Sequence, residues 1–508
     1  MRTKQAFMNA SFSLMLQVAL AISGLLVPRF FIAVYGSAIN GLVSSVTQFI
    51  TYLSLVEAGV GAASTVALYK PLAARDSDTV SGILSATRVF YLRSGLIFVG
   101  LVGLLVVFYP HLVNGEIQDS GFVRFMIILL SLSGIIDYFV LGKYRVLLMA
   151  DQRGYVLYGF QIIGTIVMTA LNLWQIHIGC SALIVKATAA GVFIGRSIAA
   201  IVYCKRRYKD YQFNVPPLMG AFTQRNAALV HQIVGVIANN AAVVLLTVMV
   251  KRDALAEVSV YSVYNLVAYS LSTLLSSLTT GLTPSFGSVI SKGEEDVLRS
   301  SYGIYEMVMF LLVFTCYICM ALLLYPFVAL YSMQFADGTN YVRTELVLLF
   351  TLSGLLQSVR YPALTLICAG GHYKQTQGRA IIELGISLTF SLALTPKFGI
   401  VGVMVAMCMS YLYRTTDVIV YSAKHFLKGT LKNTGRRLLR NAIVMGVLIA
   451  VGIACQPHGI TSWVVWITQA ILVGTAAVGS LFLVNYVCEP QEMKGIIRMC
   501  KGLIRRSR

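Results

Sequence analysis

Charged side chains inside long apolar stretches are the residues of this sequence best suited to chemistry. A charge in hydrocarbon is costly unless it is paired or faces water, so it often marks a path for a ligand or an ion. Five of these residues are cationic and four are acidic: Arg29, Lys186, Arg196, Arg360, Arg414, Glu57, Asp137, Glu383 and Asp417. If several of them face one cavity, the small excess of positive charge favours an anionic group there.

Some of the basic residues have a simpler interpretation. Arg29, Lys186 and Arg196 can extend their long side chains to the membrane surface. Arg414 and Asp417 are three residues apart on one helix face and can neutralise each other. These alternatives leave open which of the cations would bind a ligand.

Arg360 is also open to two interpretations. It lies at a depth similar to that of Glu383 on the next apolar stretch, so the two can form a structural ion pair. Yet neither Arg360 nor Arg29 has an acidic residue within four positions on its own helix. We therefore expect Arg29 and Arg360, more than Arg414, to bind an anion.

The acidic residues Asp137 and Glu57 are candidates for ion coupling. Asp137 lies near the middle of its apolar stretch, and no basic residue occurs three or four positions away. Its nearest basic neighbour on that helix, Lys143, is on a different face. Glu57 lies in the inner part of another stretch, where a carboxylate is equally costly.

Amide side chains extend the set of candidate binding residues. Gln357 precedes Arg360 by one turn, and Asn239 and Asn240 lie together on another stretch. Interhelical hydrogen bonding is the alternative interpretation, because it is common for such side chains within membranes.

The elements that must hold these residues are helices that span a membrane. About fourteen apolar stretches are each long enough to cross a hydrocarbon layer of about 30 Å. The predicted spans are 9–34, 40–66, 94–114, 122–148, 155–177, 180–203, 228–250, 256–282, 303–331, 343–368, 379–397, 398–421, 438–457 and 462–487. With 57% hydrophobic and 12% charged residues, the chain is not a soluble globular protein. An all-α polytopic membrane protein is predicted.

The basic residues indicate the orientation. If the gaps between spans are assigned alternately to the two sides, about thirty basic residues fall on the side of the amino terminus, which is therefore cytoplasmic. The even number of spans then places the carboxyl terminus in the cytoplasm too. The net charge of +20 does not indicate nucleic-acid binding, because it is spread over short loops.

Signatures of enzymes are missing from the sequence. There is no Walker A pattern, no HExxH and no nucleophile elbow, and the six His residues lack metal-ligand spacing. We therefore predict a transporter without a cofactor or a metal. A membrane glycan polymerase or ligase is a weaker alternative, because the outer gaps are too short to form a catalytic domain.

An internal repeat has an offset of about 220 residues. Leu132-Ser133-Gly134 recurs as Leu352-Ser353-Gly354, and other pairs follow in the same order. The repeat predicts a six-helix lobe at 1–220, a second at 221–428, and two additional helices with a basic cytoplasmic tail at 429–508. Since each lobe has an even number of spans, the two are expected to be related by rotation about the membrane normal.

Two segments resemble a known family. The run from Tyr52 to Ser64, with Leu68-Tyr69-Lys70-Pro71-Leu72-Ala73 after it, is similar to the second-helix segment of Wzx-type polysaccharide flippases. The run from Tyr261 through Pro284 to Gly287 is similar to another segment of these proteins. They belong to the multidrug/oligosaccharidyl-lipid/polysaccharide exporter superfamily.

The resemblance implies a fold and a function. The family has two six-helix lobes around a central cavity, works by alternating access in the bacterial plasma membrane, and carries a polyprenyl-diphosphate-linked glycan for cell-surface polysaccharide assembly. It also implies membrane lipids as partners, with a polysaccharide polymerase and glycosyltransferases as further ones. On this interpretation Arg29, Lys186, Arg196 and Arg360 bind the diphosphate. The alternative within the superfamily is a multidrug/cation antiporter.

The topology is directly testable. We predict that the amino terminus, the 204–227 loop and the carboxyl terminus are cytoplasmic and that the 332–342 loop is external. In a Cys-free background, a Cys in the 332–342 loop should react with an impermeant reagent in intact cells. A Cys at position 209, in place of Lys209, should react only after the cells are opened. Labelling of position 209 in intact cells would overturn the orientation.

Overall fold

The structure, a computed structural model, is all-α: the residues that it describes form helices joined by loops, with no strand among them. It describes residues 2–57, 60–113, 115–221, 236–237, 240–280, 282–427, 429, 431–455, 462–493 and 495. In chain order the α-helices are α1 (Arg2–Tyr35), α2 (Ser37–Leu53), α3 (Val60–Ala74), α4 (Ser77–Val113), α5 (Ser120–Ile136), α6 (Gly142–Ala150), α7 (Gly154–His177), α8 (Ala182–Arg207), α9 (Asn240–Met249), α10 (Ala254–Thr280), α11 (Thr283–Lys292), α12 (Glu295–Ser332), α13 (Thr344–Val359), α14 (Tyr361–Ala369), α15 (Tyr373–His425), α16 (Leu431–Cys455) and α17 (Trp463–Cys488).

The predicted all-α membrane class is confirmed. Twelve helical segments of the described residues are long and apolar enough to cross a membrane. One of them, α15, covers both predicted spans 379–397 and 398–421, and the backbone is non-helical between them at Gly399 (φ +55°). The predicted span 228–250 lies partly outside the described residues, and α9 is its described end. The chain is thus a multi-pass membrane protein.

Glycine residues and polar capping residues set several helix boundaries. Gly36 (φ +85°) makes the turn from α1 to α2, in a conformation that is costly for residues with a Cβ atom. Asp119 caps α5 by accepting a hydrogen bond from the Phe122 amide (3.0 Å), and Ser181 caps α8 through the Ile184 amide (3.4 Å). These caps satisfy amide groups that would otherwise lack a partner at helix ends.

The first of two compact units consists of Met1–Val260 and residues 335–339. Here α1 packs on α7, α7 on α8, and both α3 and α5 on α4. Gly41 of α2 lies directly against the backbone of Leu255 in α10, where even a Cβ atom would meet the Leu255 carbonyl oxygen. This approach fixes the start of α10 on α2.

The second unit consists of Tyr261–Gln334 and Asn340–Arg508. Helix α12 is its central element: 61% of its most apolar 18-residue window is buried, compared with 11% for α16 and for α17. The exposed apolar faces of α16 and α17 are therefore suited to lipid. The lobe boundaries at 220 and 428 stay a prediction, because packing into compact units does not test a repeat.

Buried ion pairs fasten α16 and α17 to α12. Glu306 is only 2% exposed at its side chain and pairs with Arg437, which is 6% exposed (2.9 Å). Thr434 and Tyr302 also donate hydrogen bonds to the Glu306 carboxylate (2.7 and 3.1 Å). Arg437 in turn pairs with Glu489, just after α17. All three helices thus share one polar network.

This network should dominate the stability of the second unit. Arg437→Leu leaves Glu306 buried without its cation, so we expect the free energy of unfolding to fall by about 3–5 kcal/mol. Glu306→Leu combined with Arg437→Leu should recover most of that loss. Thermal unfolding of the purified proteins measures both effects. Arg299→Leu is the control, since its pair with Glu295 is long and exposed (3.8 Å) and should contribute less than about 1 kcal/mol. Equal losses for Arg437→Leu and the double variant would contradict the assignment.

Candidate functional site

One arginine joins Glu57 and Asp137, the two acidic residues that the sequence singles out in the first unit. Arg145 of α6 uses one guanidinium nitrogen on Glu57 (3.0 Å) and another on Asp137 (2.9 Å). The side chains of Glu57 and Asp137 are 18% and 19% exposed, and that of Arg145 is 39% exposed. The forked guanidinium can hold two carboxylates at once, which a point charge cannot do with the same geometry.

The backbone around Asp137 is not an ordinary α-helix. A π-helical turn at Asp137–Leu141 separates α5 from α6, and the Gly142 amide donates to the Asp137 carbonyl. Gly142 also leaves room for the ring of Tyr91, which a Cβ atom there would strike. The Tyr91 hydroxyl donates to Glu57, so the wide turn and the glycine together bring α4, α6 and the end of α2 to one polar site.

A cavity of about 250 Å³ opens beside this ion pair. Its polar lining consists of Ser133, Asp137, Arg145, Gln161, Arg196 and Ser197. Arg196 lies over the Phe193 ring (4.5 Å to the centroid) and interacts electrostatically with Asp137. We call this space the α5–α8 cavity. Its hydroxyl, amide and guanidinium groups suit a ligand that carries both hydroxyls and negative charge.

No basic residue occurs three or four positions from Asp137, yet Arg145 of the same predicted span is its partner. Helix spacing considers positions three and four away, whereas Arg145 lies eight positions along, two turns away across the π-helical turn. Judged by the distribution of basic residues alone, Arg145 belongs with the cytoplasmic loop that follows its span, because it lies near the end of that span. Its position two turns from Asp137 is the signal that identifies it. As coupling candidates, Asp137 and Glu57 therefore act as a pair held by Arg145.

Two of the predicted cations lie outside the α5–α8 cavity. The Lys186 ammonium lies over the Phe31 ring at 4.4 Å from the centroid, and in the described part of the chain no carboxylate is within 4.0 Å of it. Arg29 is half-buried near the Phe30 ring (5.9 Å). Of the four predicted diphosphate ligands in the sequence, only Arg196 lines this cavity.

The second unit holds a larger ion-pair network. Arg360 pairs with Glu383 (2.7 Å), and Arg414 contacts both Glu383 (3.4 Å) and Asp417 (2.9 Å). Arg379 also pairs with Asp417. The structural pair that the sequence left open for Arg360 is thus formed. The expected contrast between Arg360 and Arg414 no longer follows, because both are bound to the same carboxylate.

Two of the three predicted amide residues are described, and each has a hydrogen-bond partner within its own unit. Gln357 accepts a long hydrogen bond from Ser272 (3.5 Å). Asn240 donates to the Val236 carbonyl (2.8 Å). Asn239 lies outside the described residues. No group of side chains suited to a metal ion occurs among the residues that the structure describes.

Comparison with known proteins identifies the fold. No family model and no curated protein sequence matches this chain. Among solved structures, the lipid II flippase MurJ in an inward closed conformation is similar over 94% of this chain and 98% of its own, with a TM-score of 0.72 and 14% identity.

Multidrug transporters share the same fold. An inward-facing multidrug resistance MATE family transporter of the MOP superfamily is similar over 84% of this chain and 96% of its own (TM-score 0.60, 12% identity). A point mutant of the MATE transporter VcmN of Vibrio cholerae is similar over 84% of this chain and 98% of its own (TM-score 0.55, 15% identity). The chain therefore has the fold that MurJ and MATE transporters have in common.

The bridging role of Arg145 gives a specific expectation. Arg145→Gln leaves two carboxylates close together without their cation, so we expect it to lower the free energy of unfolding by about 2 kcal/mol. Asp137→Asn in the same chain should recover part of the loss, with a coupling energy of about 0.5–3 kcal/mol. Arg145→Lys should be intermediate, because an ammonium cannot hold both carboxylates equally well.

The measurement is thermal unfolding of purified single and double variants. Arg124→Gln is the matched control, since Arg124 is an exposed arginine of α5 that does not line the cavity. Additive effects of Arg145→Gln and Asp137→Asn would show that the two side chains do not depend on each other.

Proposed function

We propose that this protein is a flippase that moves a polyprenyl-diphosphate-linked oligosaccharide from the inner to the outer leaflet of the bacterial plasma membrane. The observation that carries the proposal is the α5–α8 cavity. Arg196 offers guanidinium donors there, and no carboxylate lies within 4.0 Å of it in the described part of the chain. Guanidinium groups bind diphosphates well, while Gln161, Ser133 and Ser197 are suited to sugar hydroxyls.

The fold supports a lipid-linked cargo over a soluble one. The similarity to the lipid II flippase extends over a larger share of this chain than the similarity to the MATE transporters, with 94% against 84%, and has the higher TM-score. The family resemblance in the sequence points the same way. An oligosaccharide on a polyprenyl diphosphate combines a charged and hydroxylated head with a tail that stays in the bilayer.

Transport of such a cargo does not need ATP. The sequence has no Walker A pattern. Moving two negative charges out of an inside-negative cell releases about 4.6 kcal/mol per 100 mV. Exchange for a cation is the second way to supply energy, and Glu57 and Asp137 are the residues for it. Since Arg145 already contacts both carboxylates, a coupling cation must compete with Arg145 for them.

The cellular setting follows from this cargo. Glycosyltransferases that build the oligosaccharide act before the flippase, and a polysaccharide polymerase uses the product on the outer side. We place both termini in the cytoplasm, in agreement with the distribution of basic residues.

A multidrug/cation antiporter is the second candidate. The similarity to MATE transporters and the paired carboxylates of the first unit favour it. Against it, an arginine-lined cavity repels organic cations.

Variants of Arg196 distinguish the flippase from the antiporter. In cells that lack the native gene, we expect Arg196→Gln to reduce glycan export by about tenfold or more at equal protein abundance, because a charge-assisted contact to the diphosphate is lost. Arg196→Lys should retain part of the export, and Arg124→Gln should match the unchanged protein.

The same strains should be tested for survival with cationic dyes. If the Arg196→Gln variant exported glycan at the full rate, the α5–α8 cavity would not be the cargo-binding site. Dye resistance that depends on the protein, with no effect on glycan export, would favour the antiporter.

A further inference from the structure

A second cavity lies beside α6 and the carboxyl end of α8 in the first unit. Its volume is about 210 Å³, the space of roughly seven waters at about 30 Å³ each. Its walls are aromatic and basic: Tyr144, Lys205, Tyr208, Lys209, Tyr211 and Phe213. We call it the tyrosine–lysine cavity. It lies where α8 ends, on the side that the sequence predicts to be cytoplasmic.

Positive charge gathers at this cavity without a matching negative charge. The Lys143 ammonium lies 5.3 Å from the Tyr144 ring and 5.4 Å from the Phe213 ring, and it is repelled by Arg88 and Lys205. Within the described ranges, no carboxylate is within 4.0 Å of Lys143, Lys205 or Lys209. Like charges held together in this way attract an anion.

Two acidic residues lie near this site: Asp210, which follows Lys209 in the chain, and Asp151, which is already engaged. Asp151 pairs with Arg153 (2.8 Å) and accepts a hydrogen bond from the Tyr208 hydroxyl (2.6 Å). It therefore fixes the Tyr208 ring at the cavity wall and does not neutralise the lysines.

The loop after α8 is held firmly over the cavity. The Gln212 and Val215 amides donate to the hydroxyls of Ser81 and Ser85 on α4 (3.0 and 3.1 Å). The Tyr208 and Tyr211 rings stack at 5.8 Å. A wall that is fixed before binding lowers the entropic cost of holding a ligand.

We propose that the tyrosine–lysine cavity binds the phosphate group of an anionic glycerophospholipid from the adjacent leaflet. Lys205 and Lys209 would contact the phosphate, while Lys143, which lies over the Tyr144 and Phe213 rings and does not line the cavity, would add to the positive potential. The tyrosine and phenylalanine rings would cover the glycerol and the first acyl carbons. A lipid fits better than a soluble phosphate because the walls are largely aromatic and lie at the ends of membrane spans, where tyrosine is typical of the headgroup region. Basic pockets between transmembrane helices on the cytoplasmic side are suited to such headgroups.

This site is separate from the α5–α8 cavity. The two cavities have no lining residue in common. Lipid binding at this site can therefore be measured without a transport assay. The result of that measurement does not depend on whether the proposed cargo is correct.

The test compares lipids on the purified full-length chain in a neutral detergent. Phosphatidylglycerol, phosphatidylcholine and inorganic phosphate are each titrated, and the readouts are the thermal unfolding midpoint and the number of bound lipids by native mass spectrometry. Phosphatidylglycerol should raise the midpoint and remain bound, whereas the other two should not. Combining Lys143→Gln, Lys205→Gln and Lys209→Gln should weaken phosphatidylglycerol binding roughly fivefold per lysine, about 100-fold in all.

Two further variants keep the result interpretable. Lys70→Gln, Arg93→Gln and Lys292→Gln together remove the same charge from exposed positions that do not line the cavity, and binding should persist. Replacing Lys143, Lys205 and Lys209 by Arg should preserve binding if the glutamine variant lost it through charge rather than through misfolding. Equal loss in the cavity variant and the exposed-charge variant would overturn the proposal, as would unchanged binding in the cavity variant. Inorganic phosphate that stabilises the protein and displaces the lipid at equal concentration would assign the site to a soluble anion.

Discussion

The cost of an ionised side chain in a hydrocarbon environment governs the arrangement of this protein. In the described structure, most charges within the spans meet an opposite charge or an aromatic face: Arg145 bridges Glu57 and Asp137, and Arg437 neutralises Glu306. Such pairs cost more to assemble than apolar contacts, but removing one partner is worse, since it strands the other. The networks therefore fix which helices can be neighbours, and the packing of each unit follows from them.

Breaks in helical regularity make these networks possible. The π-helical turn at Asp137–Leu141 rotates α6 relative to α5, so that Arg145 and Asp137 point to the same side. Gly142 and Gly61 leave space for Tyr91 and for the carboxylate that it contacts. An uninterrupted α-helix of the same length would not bring these groups together.

The two units use the same chemistry with different charge balances. The first unit joins two carboxylates through one bridging arginine beside an open cavity, while the second links three arginines to two carboxylates in a chain of contacts. The internal repeat stays a prediction; at its offset Arg196 would correspond to Arg414, 218 residues further along. In the first unit Arg196 lines the α5–α8 cavity, whereas in the second unit Arg414 is paired with two carboxylates, Glu383 and Asp417. This difference makes the first unit the better candidate for cargo binding.

The sequence by itself determined the helices, because length and apolarity decide whether a segment can cross a membrane. It also predicted the pair of Arg414 with Asp417, since residues three apart share a helix face. It did not single out Arg145, Glu306 or Arg437, which the structure places in ion pairs. The partners of Asp137 and Arg360, the α5–α8 cavity and the tyrosine–lysine cavity were decided only by the tertiary structure. These contacts join side chains of different helices, or of one helix across an irregular turn. Neither the rotation of a helix about its axis nor its neighbours can be calculated from spacing along the chain.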